Sequence, residues 1–356
     1  MAREQMARMA RDGGVRLLDG RDPRAVATAA GVLRAGGLVA LPTETVYGLG
    51  ADAGNAAAVD RVFRAKGRPA DNPLIVHLPD AAAVGEVAVL TPLARRLAAR
   101  WWPGPLTLVL EARRGLPART TGGLPTVAVR VPDHPVALEL LRAAGVPVAA
   151  PSANRSGGPS PTTARHVLVD LASAVDVVLD GGPCRVGVES TVVDARGDLP
   201  VVLREGAVTR ELLGTCLQGP RIDPSGVDTA EGSASGSASP GTRHRHYAPA
   251  CTVLLRPKGR AAAEATSLAS AGHRVGLVAT AGSPAASPGV ICLARFDSVE
   301  QLAGMLYAVL READFLELDA CVIEEVADRG LGRAVMDRLR RAEAGSGDRS
   351  AGRSVS

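Results

Sequence analysis

The chain has 356 residues, 46% hydrophobic and 2% aromatic, with a formal net charge of +4 and a sequence pI near 9.0. That length allows about two domains whose cores are built from Val, Leu and Ala. The mild basic excess permits an anionic substrate or nearby RNA without demanding either. Five scattered cysteines without C-x-x-C spacing read as reduced thiols of a cytoplasmic protein, and no stretch approaches the ~20 apolar residues of a membrane span.

Residues 1–14 carry Arg but no apolar run, so they read as disordered and not as a signal peptide. The apolar run at 38–41 reads as a buried strand broken by Pro42. Thr43, Glu44, Thr45 and Tyr47 follow, then a Gly48-Leu49-Gly50 turn. Polar groups just past a buried strand are where α/β folds put ligand contacts. Asn55 caps a helix with an apolar face of Val59, Val62 and Phe63 that stops at Gly67. Lys66 and Arg68 flank that glycine, and Asn72-Pro73 leads into a strand at 74–78 carrying His77. Two cations, a turn and an amide suit an anion such as phosphate.

Thr91-Pro92 opens a helix that ends before Pro103. Strands follow at 106–110 and 127–131, the second carrying Arg130 on the same face as Thr126, four residues back. A helix at 134–144 precedes the apolar run 146–150, which ends in PSANRSGGPSPTT, where Thr162 or Thr163 caps a helix. Strands at 175–179, 191–194 and 201–203 and a helix at 209–217 complete an α/β unit. Residues 219–246 have linker composition. Beyond them strands at 252–255, 275–279, 290–293 and 320–324 alternate with helices at 260–271, 298–313 and 330–342, a small domain with a parallel sheet. The expected organisation is a disordered 1–14, a catalytic domain at 15–218, a linker at 219–249, a second α/β domain at 250–343 and a disordered tail at 344–356.

Each polar group also has a plain structural reading. Thr43 to Tyr47 could be a strand-to-turn cap, Lys66 and Arg68 ordinary helix C-terminal cations, His77 a core histidine and Arg130 half of an internal salt bridge. An inward Arg needs an anion, and a ligand carboxylate or phosphate supplies charge-assisted bonds worth ~1.5–3 kcal/mol each. The chain holds only two Lys and three Asn against many Arg, so Lys66 points to a compact ammonium in place of a planar fork. Ser152, Asn154, Ser156 and Ser160, before glycines and a helix start, suit phosphate or ribose. Glu189-Ser190-Thr191 precedes one strand and Arg204-Glu205-Gly206 ends the next. His244 and His246 lack a third metal ligand at suitable spacing and read as a basic turn leading to Tyr247. No P-loop, nucleophile elbow or H-E-x-x-H occurs. Donors and cations with few candidate bases fit positioning and charge neutralisation, as in attack on a nucleotide phosphate, rather than covalent catalysis.

In order, PTETVYGLG, KGRPADNPLIVH, WPGPLTLVL, VAVRVPDHP, APSANRSGGPSPTT, ESTVVD, LREGAVT and SPGTRHRHYAP resemble the motifs of L-threonylcarbamoyladenylate synthases, the YrdC-like family, over residues 31–249. The last motif and the second domain look like the longer two-domain branch. The resemblance implies a YrdC-like twisted mixed α/β sheet with a concave, positive face, followed by a smaller Rossmann-like α/β domain. It implies synthesis of L-threonylcarbamoyl-AMP and pyrophosphate from L-threonine, bicarbonate and ATP, for N6-threonylcarbamoylation of adenosine 37 in tRNAs reading ANN codons. Carried over residue by residue, Thr45, His77, Arg130, Ala150 and Ser190 would hold L-threonine. Arg68, Asn72, Thr126, Ser152, Ser160, Arg204 and Tyr247 would hold ATP, and Lys66, Arg68 and Asn154 would act at the phosphates. Magnesium (Mg2+) is expected on the ATP and not in a protein cage, with the linker and Tyr247 as a lid. The product is expected to pass to downstream threonylcarbamoyl-transferase machinery, with weak tRNA contact and no membrane.

Two other classes stay open on the residues alone. One is an RNA-binding protein, although so few aromatics leave no stacking platform. The other is a carbamoyl-adenylate-handling domain serving a carbamoyltransferase, although the chain lacks the catalytic modules for it.

Overall fold

The computed structural model describes residues 2–69, 72–215 and 247–346. The linker at 219–246, with His244 and His246, and the tail beyond 346 lie outside the described residues. The chain divides into two compact units, Met1–Ser156 with Ser160–Arg243, and Gly157–Pro159 with His244–Ser356.

Among the described residues, the first unit carries ten strands in the order Arg16–Asp19, Val177–Asp180, Val39–Leu41, Gly48–Asp52, Val148–Ala149, Ile75–His77, Thr126–Arg130, Leu106–Glu111, Thr191–Asp194 and Val201–Arg204. The sheet is mixed. Ile75–His77 runs parallel to Thr126–Arg130 and antiparallel to Val148–Ala149. Helices Pro23–Arg34 and Pro135–Ala144 bury Val26, Leu33, Leu140 and Leu141 against Val39, Leu41, Val177 and Leu179. A second apolar cluster joins Val59 and Phe63 of helix Ala56–Lys66 to Leu93 and Leu97 of helix Pro92–Trp101 and to Leu74, Val76, Leu106 and Leu108.

The capping chemistry is local. The side chains of Asn55, Thr91 and Thr163 accept the backbone N–H groups of Ala58, Ala94 and His166, as N-cap residues do. Gly67 ends its helix at φ 60°, a conformation that glycine adopts without a Cβ penalty.

Three expectations need correction. Residues 1–14 are not disordered throughout: they contain helix Ala2–Gly13, on which Ala10 is buried and Met6 and Met9 pack on an apolar cluster with Leu168 and Leu171. The signal there is a helical stripe without a continuous apolar run. Gly48 to Gly50 is not a turn but the start of strand Gly48–Asp52, antiparallel to Val39–Leu41. A Cβ on Gly50 would meet Leu41 Cδ2 and Val148 Cγ1 at 2.9 Å, so close sheet packing selects glycine there. Finally, helix Leu331–Ser346 extends into the presumed tail, where buried Ser346 accepts the Val253 N–H at 3.0 Å.

The second unit holds a wholly parallel sheet, ordered Thr252–Arg256, Ala320–Glu324, Val275–Thr280, Val290–Phe296. Helices Ala261–Ser270 and Val299–Phe315 separate strands in sequence and Leu331–Ser346 follows the last, whereas Val275–Thr280 and Val290–Phe296 succeed each other without a helix between them. Among the described residues no helix is long and apolar enough to cross a membrane.

Candidate functional site

Buried polar side chains in the first unit concentrate at strand ends. Thr43, Glu44, Thr45, Lys66, Asn72, His77, Thr126, Arg130, Asn154, Ser160, Glu189, Ser190 and Arg204 are all buried. Burial of so many polar groups costs free energy unless each finds partners, so their connections define the site.

Arg130 is the hub. Its Nη1 donates to Thr45 Oγ1 at 3.0 Å and its Nε to the Gly104 carbonyl at 3.2 Å. Its Nη2 lies 2.7 Å from Glu44 Oε2, with 4% and 1% of the two side chains exposed. That contact is close but off the hydrogen-bond direction, and neither Glu44 oxygen receives a directed hydrogen bond. The internal salt bridge, the alternative raised for Arg130, therefore exists. It does not exhaust the guanidinium, whose five N–H groups exceed the partners named. Thr43 organises the turn: its hydroxyl donates to Val46 O at 2.6 Å and lies 2.9 Å from the Thr45 hydroxyl.

His77 is the register partner of Arg130 on the adjacent parallel strand. Its Nδ1 faces Ile75 O at 3.3 Å, and the Val148 backbone is a second hydrogen-bond partner of the ring. Desolvation, and then the Arg130 charge, lower the imidazole to about 3, leaving it neutral at physiological pH. The N–H of Ala150 donates to that same Ile75 carbonyl at 2.9 Å. Thr45, His77, Arg130 and Ala150 are thus tied together through one another or through shared backbone.

Ser190 joins them by way of residues 104–107. Thr191 N–H donates to Pro105 O at 3.0 Å and Thr107 Oγ1 lies 2.8 Å from Ser190 Oγ. Arg204 then donates to Ser190 O from Nη2 at 2.9 Å and from Nε at 3.2 Å. This links a residue read as threonine-binding to one read as nucleotide-binding.

The remaining nucleotide candidates make separate local contacts. Lys66, at the last turn of its helix, places Nζ 2.5 Å from the carbonyls of both Ser152 and Asn154. Ser152 Oγ donates to Asn154 Oδ1 at 2.6 Å. Ser160 Oγ donates to Glu189 Oε1 at 2.6 Å. Arg68 is held locally, its Nη2 3.0 Å from Pro73 O and its Nε 3.3 Å from Asn72 O. Thr126 begins the strand that Arg130 ends, roughly 13 Å away along it. Tyr247 belongs to the second unit, where it stacks on Tyr307 with ring centroids 5.5 Å apart and adopts φ 68°.

Sequence reading did not single out Thr107, Glu189 or the carboxylate of Glu44 for specific roles. Glu44 and Glu189 sit inside quoted motifs, so that signal existed. Thr107 sits inside the quoted WPGPLTLVL as well, but only the fold brings it to Ser190. Together the groups can grip a small anion-bearing molecule at Arg130 and neutralise phosphate charge from Lys66 and Arg204. Cys184, a buried thiol that feels the charges of Glu44 and Arg130, is pushed up to about 12, chiefly by burial.

Comparison with known proteins places these motifs in context. The Sua5/YciO/YrdC family model, described as telomere recombination, matches residues 31–206. The threonylcarbamoyl-AMP synthase C-terminal domain matches residues 208–344. The chain is 45% identical over 325 residues to the threonylcarbamoyl-AMP synthase of Pyrococcus abyssi, covering 88% of this chain and 92% of that protein. It is 42% identical over 336 residues to the Bacillus subtilis protein of the same name, covering 92% and 95%. The crystal structure of P. abyssi Sua5 complexed with L-threonine superposes with a TM-score of 0.83 at 42% identity, covering 93% of this chain and 98% of that one.

Proposed function

The chain belongs to the Sua5/YciO/YrdC family, and from that premise we propose that it is an enzyme joining L-threonine, bicarbonate and ATP into L-threonylcarbamoyl-AMP and pyrophosphate. The threonine nitrogen, having shed a proton, takes the bicarbonate carbon and water leaves. The resulting carbamate oxygen attacks the α-phosphorus of ATP, the bond to the bridging oxygen breaks, and pyrophosphate departs. No step needs a covalent enzyme intermediate, which suits a site made of cations and donors.

The observation that carries this reading is Arg130, buried and braced by Thr45 and Gly104 with N–H capacity to spare. A braced guanidinium is a preorganised receptor for a substrate carboxylate. Neutral His77 and the Ser190 hydroxyl stand as polar partners for the rest of the amino acid, with Thr45 and Ala150 closing its pocket. Lys66 and Arg68 neutralise charge on the phosphates, with the Asn154 amide as a neutral polar partner beside them. Asn72, Thr126, Ser152, Ser160 and Arg204 hold the nucleotide. The phosphate-side donors are ammonium, guanidinium, amide and hydroxyl groups, which suit phosphate oxygens better than a cation, so magnesium enters on the triphosphate. The adenylate then serves N6-threonylcarbamoylation of tRNA adenosine 37 by a downstream transferase.

ATP consumption with threonine and bicarbonate each omitted in turn, with mass detection of the adenylate, tests the reading. Consumption that needs both and yields the adenylate is expected. Consumption indifferent to threonine overturns it.

A further inference from the structure

The Glu44 carboxylate is the least satisfied charge in the site. It is 1% exposed, yet neither oxygen receives a directed hydrogen bond. A buried carboxylate in that state is costly and calls for a donor. Arg130 compensates its charge at 2.7 Å, but on the reading above the same guanidinium takes the substrate carboxylate. Two carboxylates would then share the one guanidinium, leaving the Arg130–Glu44 pair and its ligand one negative charge in excess.

The other titratable groups that feel Glu44 do not correct this. His134 is held below the usual histidine range, chiefly by burial, and Cys184 has its thiol pushed up to about 12 by burial. Both are neutral near pH 7. His77, also neutral, faces Arg130. At the Arg130 end of the site a second positive charge can arrive with the substrate.

We infer that Glu44 is the receptor for the substrate's α-ammonium group, so that Glu44 and Arg130 together match an amino-acid zwitterion and make the site selective for 2-amino acids over their des-amino counterparts. The inference rests on the assignment of the substrate carboxylate to Arg130. It adds a specificity-determining residue at the other end of the zwitterion. The neighbouring Thr45 hydroxyl, bonded to Arg130 Nη1, keeps the guanidinium oriented when Glu44 engages a ligand.

The test is calorimetric binding of L-threonine and of 3-hydroxybutyrate, which lacks only the amine, to the full chain and to Glu44→Gln. The wild-type protein should favour threonine by about ten- to hundredfold, the worth of a charge-assisted bond. Glu44→Gln should cut that ratio to within about threefold while binding 3-hydroxybutyrate at least as well as wild type does. An unchanged ratio, or equal loss of both ligands, overturns the inference. If the variant fails to fold, the wild-type protein still decides. Near the pKa of the free amine, threonine binding should take up protons, read by repeating calorimetry in buffers of different ionisation enthalpy. Absence of proton uptake overturns the inference. Binding is read without turnover, so a wild-type protein that discriminates by the amine yet makes no adenylate would sink the proposed reaction and leave this assignment standing.

Discussion

His77 and Arg130 are register partners on adjacent parallel strands, and the imidazole, buried beside that guanidinium, protonates only at about pH 3. In the unfolded chain the same group protonates near 6.5. Between these values the unfolded state binds the extra proton, so stability is full above pH 6.5 and is lost as pH falls toward 3. By this linkage His77 alone costs about 2 kcal/mol between pH 6.5 and 5. Denaturant unfolding at those two pH values should show that loss in the wild type and a smaller one in His77→Gln. Equal losses would remove the buried-neutral assignment.

The Arg130–Glu44 pair predicts non-additive stability. Arg130→Met leaves the Glu44 carboxylate buried without a cation and should cost about 3–5 kcal/mol. Adding Glu44→Gln removes the stranded charge, so the double variant should be more stable than Arg130→Met alone by about 1 kcal/mol or more. Denaturant midpoints at constant m-value check this, and simple additivity would contradict it.

Much of the secondary structure was readable from the chain because its signals are local. Asn55 and Thr91 cap the helices they were expected to cap, Thr163 is the one of the two threonines, 162 and 163, that caps the next, and residues 191–194 form the strand expected of them. What escaped reading depends on contacts far along the chain. Glycine at Gly50 is demanded by Leu41 and Val148, which no turn rule can express. Asp22-Pro23, an N-cap and N1 pair, opens a helix in a stretch left unassigned. The site shows the same division. Motifs named nearly every polar residue that the first unit buries. The pairing of Glu44 with Arg130 or of Thr107 with Ser190 spans more than eighty residues and appears only once the sheet order is known.

Lys66 tests the preference for a compact ammonium. Its Nζ sits between two carbonyls 2.5 Å away on a residue 4% exposed, a space that a planar guanidinium does not share. Lys66→Arg, despite keeping the charge, should lower kcat by about a hundredfold, as small misplacements at phosphate sites do. Steady-state pyrophosphate release measures it. A variant retaining half the wild-type rate would show that charge alone suffices.

Gly206 tests whether the backbone beneath Ser190 sets threonine affinity. A Cβ there would meet Thr191 N at 2.3 Å, the Ser190 carbonyl carbon at 2.6 Å and Glu189 O at 2.7 Å. All three are backbone atoms, so no rotamer change relieves the clash and the 189–191 segment must move. Gly206→Ala should therefore cost about 1–3 kcal/mol of stability and raise the KM for threonine, because Ser190 moves with that backbone. Gly214 is the control, since a Cβ there meets nothing within 4 Å and the residue lies in helix Arg210–Thr215. Gly214→Ala should be neutral or stabilising by up to about 1 kcal/mol through helix propensity, with threonine KM unchanged. If the two variants gave the same KM, Ser190 would have no part in holding the amino acid, whatever their relative stabilities.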